Sequence, residues 1–182
     1  MPSKVLSATT IGLNSEIIEV EADTVAAGLH LFSIVGLPDA AVKEAKDRVG
    51  SAIRNSRFKP PHQCGRVTIN LAPADIKKEG PVYDLPIALG FLLATRQIRF
   101  DFQNKLFIGE LSLDGKVRPV KGVLPMALLS KERGISEIFV PKENAKEASV
   151  IEEVEVFPVN NLLELIAHLQ GIEKIKPMPK IN

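Results

Sequence analysis

Leu85 to Ala94 form the longest apolar run in the chain, ten residues that include Pro86 and Gly90. A helix that crosses a membrane needs about 20 such residues, so this run is too short to span a bilayer and reads as a core helix. Ahead of it, Val67-Thr68-Ile69-Asn70-Leu71-Ala72-Pro73 is β-branched and apolar and stops at a proline, the pattern of a strand. Strand and buried helix in succession point to an α/β domain.

The remaining segments fit the same class. Val5 to Ile11 and Glu16 to Glu21 alternate around Gly12-Leu13-Asn14, and Leu29 to Val35 is a third strand candidate, so three antiparallel strands are expected to open the fold. Val42, Ala45, Val49, Ala52 and Ile53 recur at helical spacing and predict one amphipathic helix from Asp39 to Asn55. Pro60 and Pro61 follow that helix, and the next strand begins near Arg66. Asp114-Gly115 predicts a two-residue hairpin turn. Then come a helix at Val123 to Lys131, a strand at Glu137 to Val140, a strand at Val154 to Phe157 and a helix at Leu162 to Leu169. The tail Lys174 to Lys180, with two prolines and three lysines, reads as a linker.

With 182 residues and 45% hydrophobic content, one domain can bury on the order of 70% of its unfolded surface. A single cysteine, Cys64, excludes an internal disulfide, and Met1-Pro2-Ser3-Lys4 lacks the apolar segment of a signal peptide. A reduced, cytoplasmic setting without membrane partners is the expectation. The formal net charge of +1 gives no whole-domain field for nucleic acid, so any such binding must come from a local patch. Arg54, Arg57 and Lys59 at the expected helix end, with Lys77 and Lys78 in the loop before Gly80, are the candidates. Hydrated loop and helix-end charge explains the same residues more simply.

Other motifs carry less. Gly109 to Lys116 has five residues between its glycines where a phosphate-binding loop has four, and Val117 where magnesium would need a hydroxyl. His62 and Cys64 could both touch a metal, but His30 and His168 are remote in sequence and no paired-cysteine spacing exists, so no metal site is expected. Asp84 stands directly before the apolar run and reads as a helix cap ahead of a catalytic carboxylate, since no second acid or histidine is close in sequence.

Longer words carry a family resemblance. Phe32 to Asp39, Val42 to Val49, Ile69 to Asp75 and Tyr83 to Ala88 resemble the N-terminal domain of YifB/ComM-type, magnesium-chelatase-like AAA+ ATPases over about residues 3 to 170. That domain is in turn similar to the C-terminal domain of Lon protease, whose segment around its catalytic lysine resembles Phe107 to Gly122 and Val140 to Asn144 here. The resemblance implies an α/β (α+β) fold of Lon-protease-like, ribosomal-protein-S-five-domain-2-like type at residues 1–170, with 171–182 leading towards an ATPase domain absent from this chain. Counting along the match puts Val82 at the serine position and Leu124 at the lysine position. An isopropyl and an isobutyl group can neither attack a carbonyl nor take a proton, so no catalytic residue is expected, and Tyr83 and Lys121 are only neighbours of the two positions. The resemblance further implies no cofactor in this domain, ATP and Mg2+ for the full-length protein, a hexameric homo-oligomeric ring, and DNA as the substrate of full-length relatives.

Overall fold

The computed structural model describes residues 2–180. Strands β1 (Ser3–Ile11) and β2 (Asn14–Val25) make the expected hairpin, in antiparallel register from Ser3 opposite Ala22 to Ile11 opposite Asn14. β2 continues past Glu21 because it also pairs antiparallel with β4 (Arg66–Ala72), out to Val25 opposite Arg66. The third strand, β3 (Leu31–Val35), departs from expectation: it lies at the sheet edge, parallel to β4 rather than antiparallel to a neighbour. β4 occupies the place beside β2, and the helical segment between β3 and β4 returns the chain so that both strands run the same way.

That helical segment is two helices, α1 (Ala40–Lys43) and α2 (Ala45–Asn55), where sequence spacing predicts one. At the break the Arg48 guanidinium donates to the Ala41 carbonyl at 2.8 Å, engaging an oxygen that a continuous helix would keep for its own ladder. The apolar run becomes α3 (Asp84–Ala94), buried over nearly its whole circumference because β1 and β2 pack on one side of it and α2 on another. Gly90 permits the close approach, with Ser3 Oγ donating to its carbonyl at 2.6 Å.

The second half adds β5 (Lys105–Phe107), β6 (Glu110–Leu111), β7 (Val117–Arg118), α4 (Val123–Glu132), β8 (Glu137–Pro141), α5 (Lys142–Ala148), β9 (Glu155–Val159) and α6 (Leu162–Leu169). The seven-stranded sheet has the order β3-β4-β2-β1-β5-β8-β9, with β6 and β7 forming a separate ribbon. Their connection is a three-residue loop rather than the two-residue turn expected: Gly115 N–H donates to Ser112 O, Ser112 N–H to Lys116 O, and Gly115 has φ of +94°. α5 escapes the sequence because its seven residues carry too few apolar side chains to show a period.

Parallel pairing of β5, β8 and β9 puts Phe107, Phe139 and Phe157 in one register row. Their rings stack at 4.9 and 4.8 Å, and His168 from α6 closes the row 4.9 Å from Phe157. The tail expected as a linker lies back on this half. Ile175 N–H donates to His168 Nδ1 at 2.9 Å, Met178 N–H to Val156 O at 2.7 Å, and Lys180 Nζ to the Ile151 and Val154 carbonyls. Ile175 and Met178 are packed against the core, so the tail buries surface despite its prolines. No helix among the described residues is long and apolar enough to cross a membrane.

Truncating the central ring of the stack, Phe139→Ala, is expected to cost about 3–5 kcal/mol. Thermal or urea unfolding measures this, and a loss below about 1 kcal/mol would show that the aromatic row is not a main element of the core.

Candidate functional site

The loop from β4 to α3 forms one wall of a large cleft, about 960 Å3 in volume. Asp39 fixes that wall: its Oδ1 accepts from Val42 N–H at 2.8 Å as the cap of α1, and its Oδ2 accepts from Gly80 N–H at 3.1 Å. Lys78 ties the same loop down from beneath, with its N–H donating to Leu37 O and its carbonyl accepting from Asp39 N–H, each at 2.9 Å. The end of β1 (Thr9 to Ile11), Pro119 to Lys121, and Met126 of α4 form the opposite side.

Val82, only 7% exposed, lines this cleft, and Lys121 lines it too. Leu124 stands on α4, 39% exposed, and is not part of the lining. Tyr83 offers no replacement nucleophile. Burial pushes its phenol up to about 12, with the neighbouring Thr9 hydroxyl offsetting this in part, and the phenol oxygen has no hydrogen-bonded base. A nucleophile needs such a base to shed its proton, and the Tyr83 phenol has none.

Asp84 is not a helix cap. A 3-10 turn at Pro81–Tyr83 leads into α3, so Asp84 is already helical and its carboxylate turns away from the free amides. Gly109 takes over the capping role: its carbonyl accepts from Leu85 N–H and its N–H donates to Val82 O, both at 3.0 Å. The freed carboxylate pairs with Arg48 in a fork, Nε to Oδ2 at 2.6 Å and Nη2 to Oδ1 at 3.0 Å, and accepts from Leu111 N–H at 3.0 Å. Burial pushes the Asp84 carboxyl up to about 6, against the pull of Arg48 and the Leu111 amide. The Asp84 hydrogen bond raises Arg48 in turn. Sequence reading missed this pair because its members lie 36 residues apart; the one available signal was an arginine within a helix whose apolar face must be buried.

The five basic candidates separate. Lys78 is fully buried, its Nζ bonded to the Pro73 carbonyl and its pKa lowered by burial, so the expectation that it meets a phosphate is corrected. Lys77 is exposed, lines the large cleft and pairs with Glu79 at 3.7 Å. Arg54 lines a second cleft, formed by α2, the start of β3 and the 3-10 turn Pro61–Gln63, while Arg57 and Lys59 are exposed between α2 and that turn. Gly109 to Lys116 is ribbon and turn. Cys64 has its thiol raised by burial, His62 is exposed, and among the described residues no three His, Cys, Asp or Glu side chains converge as a metal site.

A mixed seven-stranded sheet with helices packed on it makes this an α/β domain, and its distant similarity to Lon protease makes the fold Lon-protease-like. Residues 19–144 match the family described as subunit ChlI of Mg-chelatase, and the chain belongs to that family. It is 40% identical over 172 residues to the competence protein ComM of Haemophilus influenzae, covering 94% of this chain and 33% of that protein. It is 39% identical over 179 residues to the uncharacterized protein YifB of Escherichia coli, covering 94% of this chain and 34% of the relative. Lon protease of Mycolicibacterium smegmatis is more distant, 24% identical over 177 residues, 92% of this chain and 22% of the protease. The chain thus spans about a third of the length of its ComM and YifB relatives.

Removing the partner of the buried carboxylate, Arg48→Met, is expected to destabilise by about 3–5 kcal/mol. The pH dependence has a defined sign. Asp84 binds its proton more tightly folded, near 6, than at its ordinary value of 3.8, so its contribution is fully present below about 4 and is lost as pH rises through about 6. The melting temperature of the parent minus that of Asp84→Asn should therefore fall as pH increases across this window. A difference that stays constant would refute the raised carboxyl.

Proposed function

We propose that this chain is the non-catalytic module of a ring-forming, cytoplasmic AAA+ ATPase, where it assists assembly of a hexameric ring and engages DNA. ATP and Mg2+ act in another part of the same protein. The observation that carries this reading is the combination of a Lon-like scaffold with Val82 in the cleft and a phenol beside it held protonated, a substrate-handling architecture without a nucleophile. The competence protein of Haemophilus influenzae among its relatives supports a role in competence, and DNA branch migration in natural transformation is the form we propose for it. Arg54, Arg57 and Lys59 are exposed around the end of α2 and are the side chains assigned to DNA; Lys77, paired with Glu79, stands apart in the large cleft, and burial removes Lys78 from the set.

A second reading, a protein-interaction module in a chelatase-like or chaperone-like complex, is favoured by the large cleft itself. Ile11, Ile76, Val82, Pro119 and Met126 give it an apolar floor, and β1 pairs with β5 only at Leu6, so the backbone of Thr9 to Ile11 has an open edge on that side. Such an edge accepts an extended peptide as an added strand.

Fluorescence anisotropy with single-stranded, duplex and branched DNA across a salt series separates the two. Phosphate contacts give affinity that falls linearly with salt on a logarithmic plot, which is the expected result. No binding at the lowest salt would remove DNA engagement and leave assembly or protein contact as the role.

A further inference from the structure

Lys46, Asp47, Gly50, Ser51 and Arg54 recur along one face of α2 and form one wall of the second cleft, about 420 Å3 in volume. His30 at the start of β3 and His62 in the 3-10 turn stand across from them. Against four basic side chains the lining holds one carboxylate, Asp47, and neither Lys46 nor Arg54 has an ion-pair partner among the described residues. His30 is oriented: Gly65 N–H donates to its Nδ1 at 3.1 Å, which leaves Nε2 as the donor. Gly50 adds no side chain to this face, and a Cβ there would meet nothing within 4 Å, so the helix wall is open at its middle.

We infer that this cleft between α2, β3 and the Pro61–Gln63 turn is a binding site for the sugar-phosphate backbone of a nucleic acid strand, with Lys46 and Arg54 as the principal phosphate contacts and His30 and His62 as additional donors. The inference rests on the DNA reading above and locates it. Extent favours a strand over a single anion. Lys46 and Arg54 are eight residues apart on α2, about 12 Å along the axis, whereas one strand advances about 3.4 Å per phosphate. Both side chains would have to bend inward to share one phosphate, while successive phosphates of a strand meet each where it stands. The basic run also continues beyond the cleft through the exposed Arg57, Lys59 and Arg66, the last directly opposite Leu31 in the β3–β4 pairing. Phe32 is the single aromatic in the lining and is half-buried, so contact is with the backbone and does not discriminate sequence.

The test is anisotropy of labelled single-stranded and duplex oligonucleotides with the parent, with the charge reversal Lys46→Glu/Arg54→Glu, and with Lys77→Glu/Lys121→Glu in the other cleft, over a salt series. All four substituted side chains are exposed, and thermal melting confirms that each variant stays folded. The α2 variant is expected to lose on the order of tenfold or more in affinity and to flatten the salt slope by about two, with the other variant close to the parent. Parent-like affinity in the α2 variant, or an equal loss in the Lys77/Lys121 variant, would overturn the cleft while leaving the DNA reading in place. No binding by the parent at the lowest salt would remove both. Displacement of the oligonucleotide by inorganic phosphate at equal phosphate concentration would mark a single-anion site and overturn the assignment to a strand.

Discussion

The Arg48 guanidinium sits where four segments meet. It projects from α2, holds the Ala41 carbonyl of α1, and forks onto Asp84 at the start of α3, whose carboxylate also receives the Leu111 amide of β6. Each charge would be costly to bury alone, and the two are tolerable together because both carboxylate oxygens and the Nε and Nη2 groups are hydrogen-bonded. The pair therefore fixes where α3 begins. Since Val82 lies two residues before Asp84, it also fixes the floor of the large cleft, making the cleft's shape a consequence of an ion pair whose carboxylate is buried.

That dependence makes the scaffold of the cleft independent of the side chain at position 82. Its elements are a strand that ends in a pinned loop, a Gly-Pro step, and a helix capped from outside by Gly109. Val82 does not hold the wall, which is fixed by Asp39, Lys78 and the Arg48–Asp84 pair. The charges of the surface fall in two clefts of different character. One is amphipathic, with Lys77 paired to Glu79; the other sets Lys46 and Arg54, without ion-pair partners among the described residues, against one carboxylate, Asp47.

The two halves of the sheet are held by different means. β1, β2 and β4 are sealed by α3, whose apolar circumference meets strands and α2 together. β5, β8 and β9 are joined by the phenylalanine row, which exists because parallel pairing aligns Phe107, Phe139 and Phe157. His168 and the tail seal the end of that row and occupy one hydrogen-bonding position on the outer edge of β9, while β3 remains an outer strand on the far side.

The sequence by itself determined the elements whose information is local. The alternation in β1 and β2, the apolar run of α3, and α6 at Leu162–Leu169 are written in consecutive residues, because periodicity reports burial wherever an element has one buried face or is wholly buried. Tertiary structure decided whatever depends on partners distant along the chain. It placed β3 parallel at an edge, split the Asp39 to Asn55 helix at the carbonyl Arg48 captures, turned Asp84 from cap to buried ion pair, and buried Lys78 under a loop that looked solvated. It also gathered Lys46, Arg54, His30 and His62 into one cleft while leaving Lys77 in another. The physical reason is the same each time: a charged side chain's role is set by the groups that surround it in three dimensions, and those lie tens of residues away in sequence.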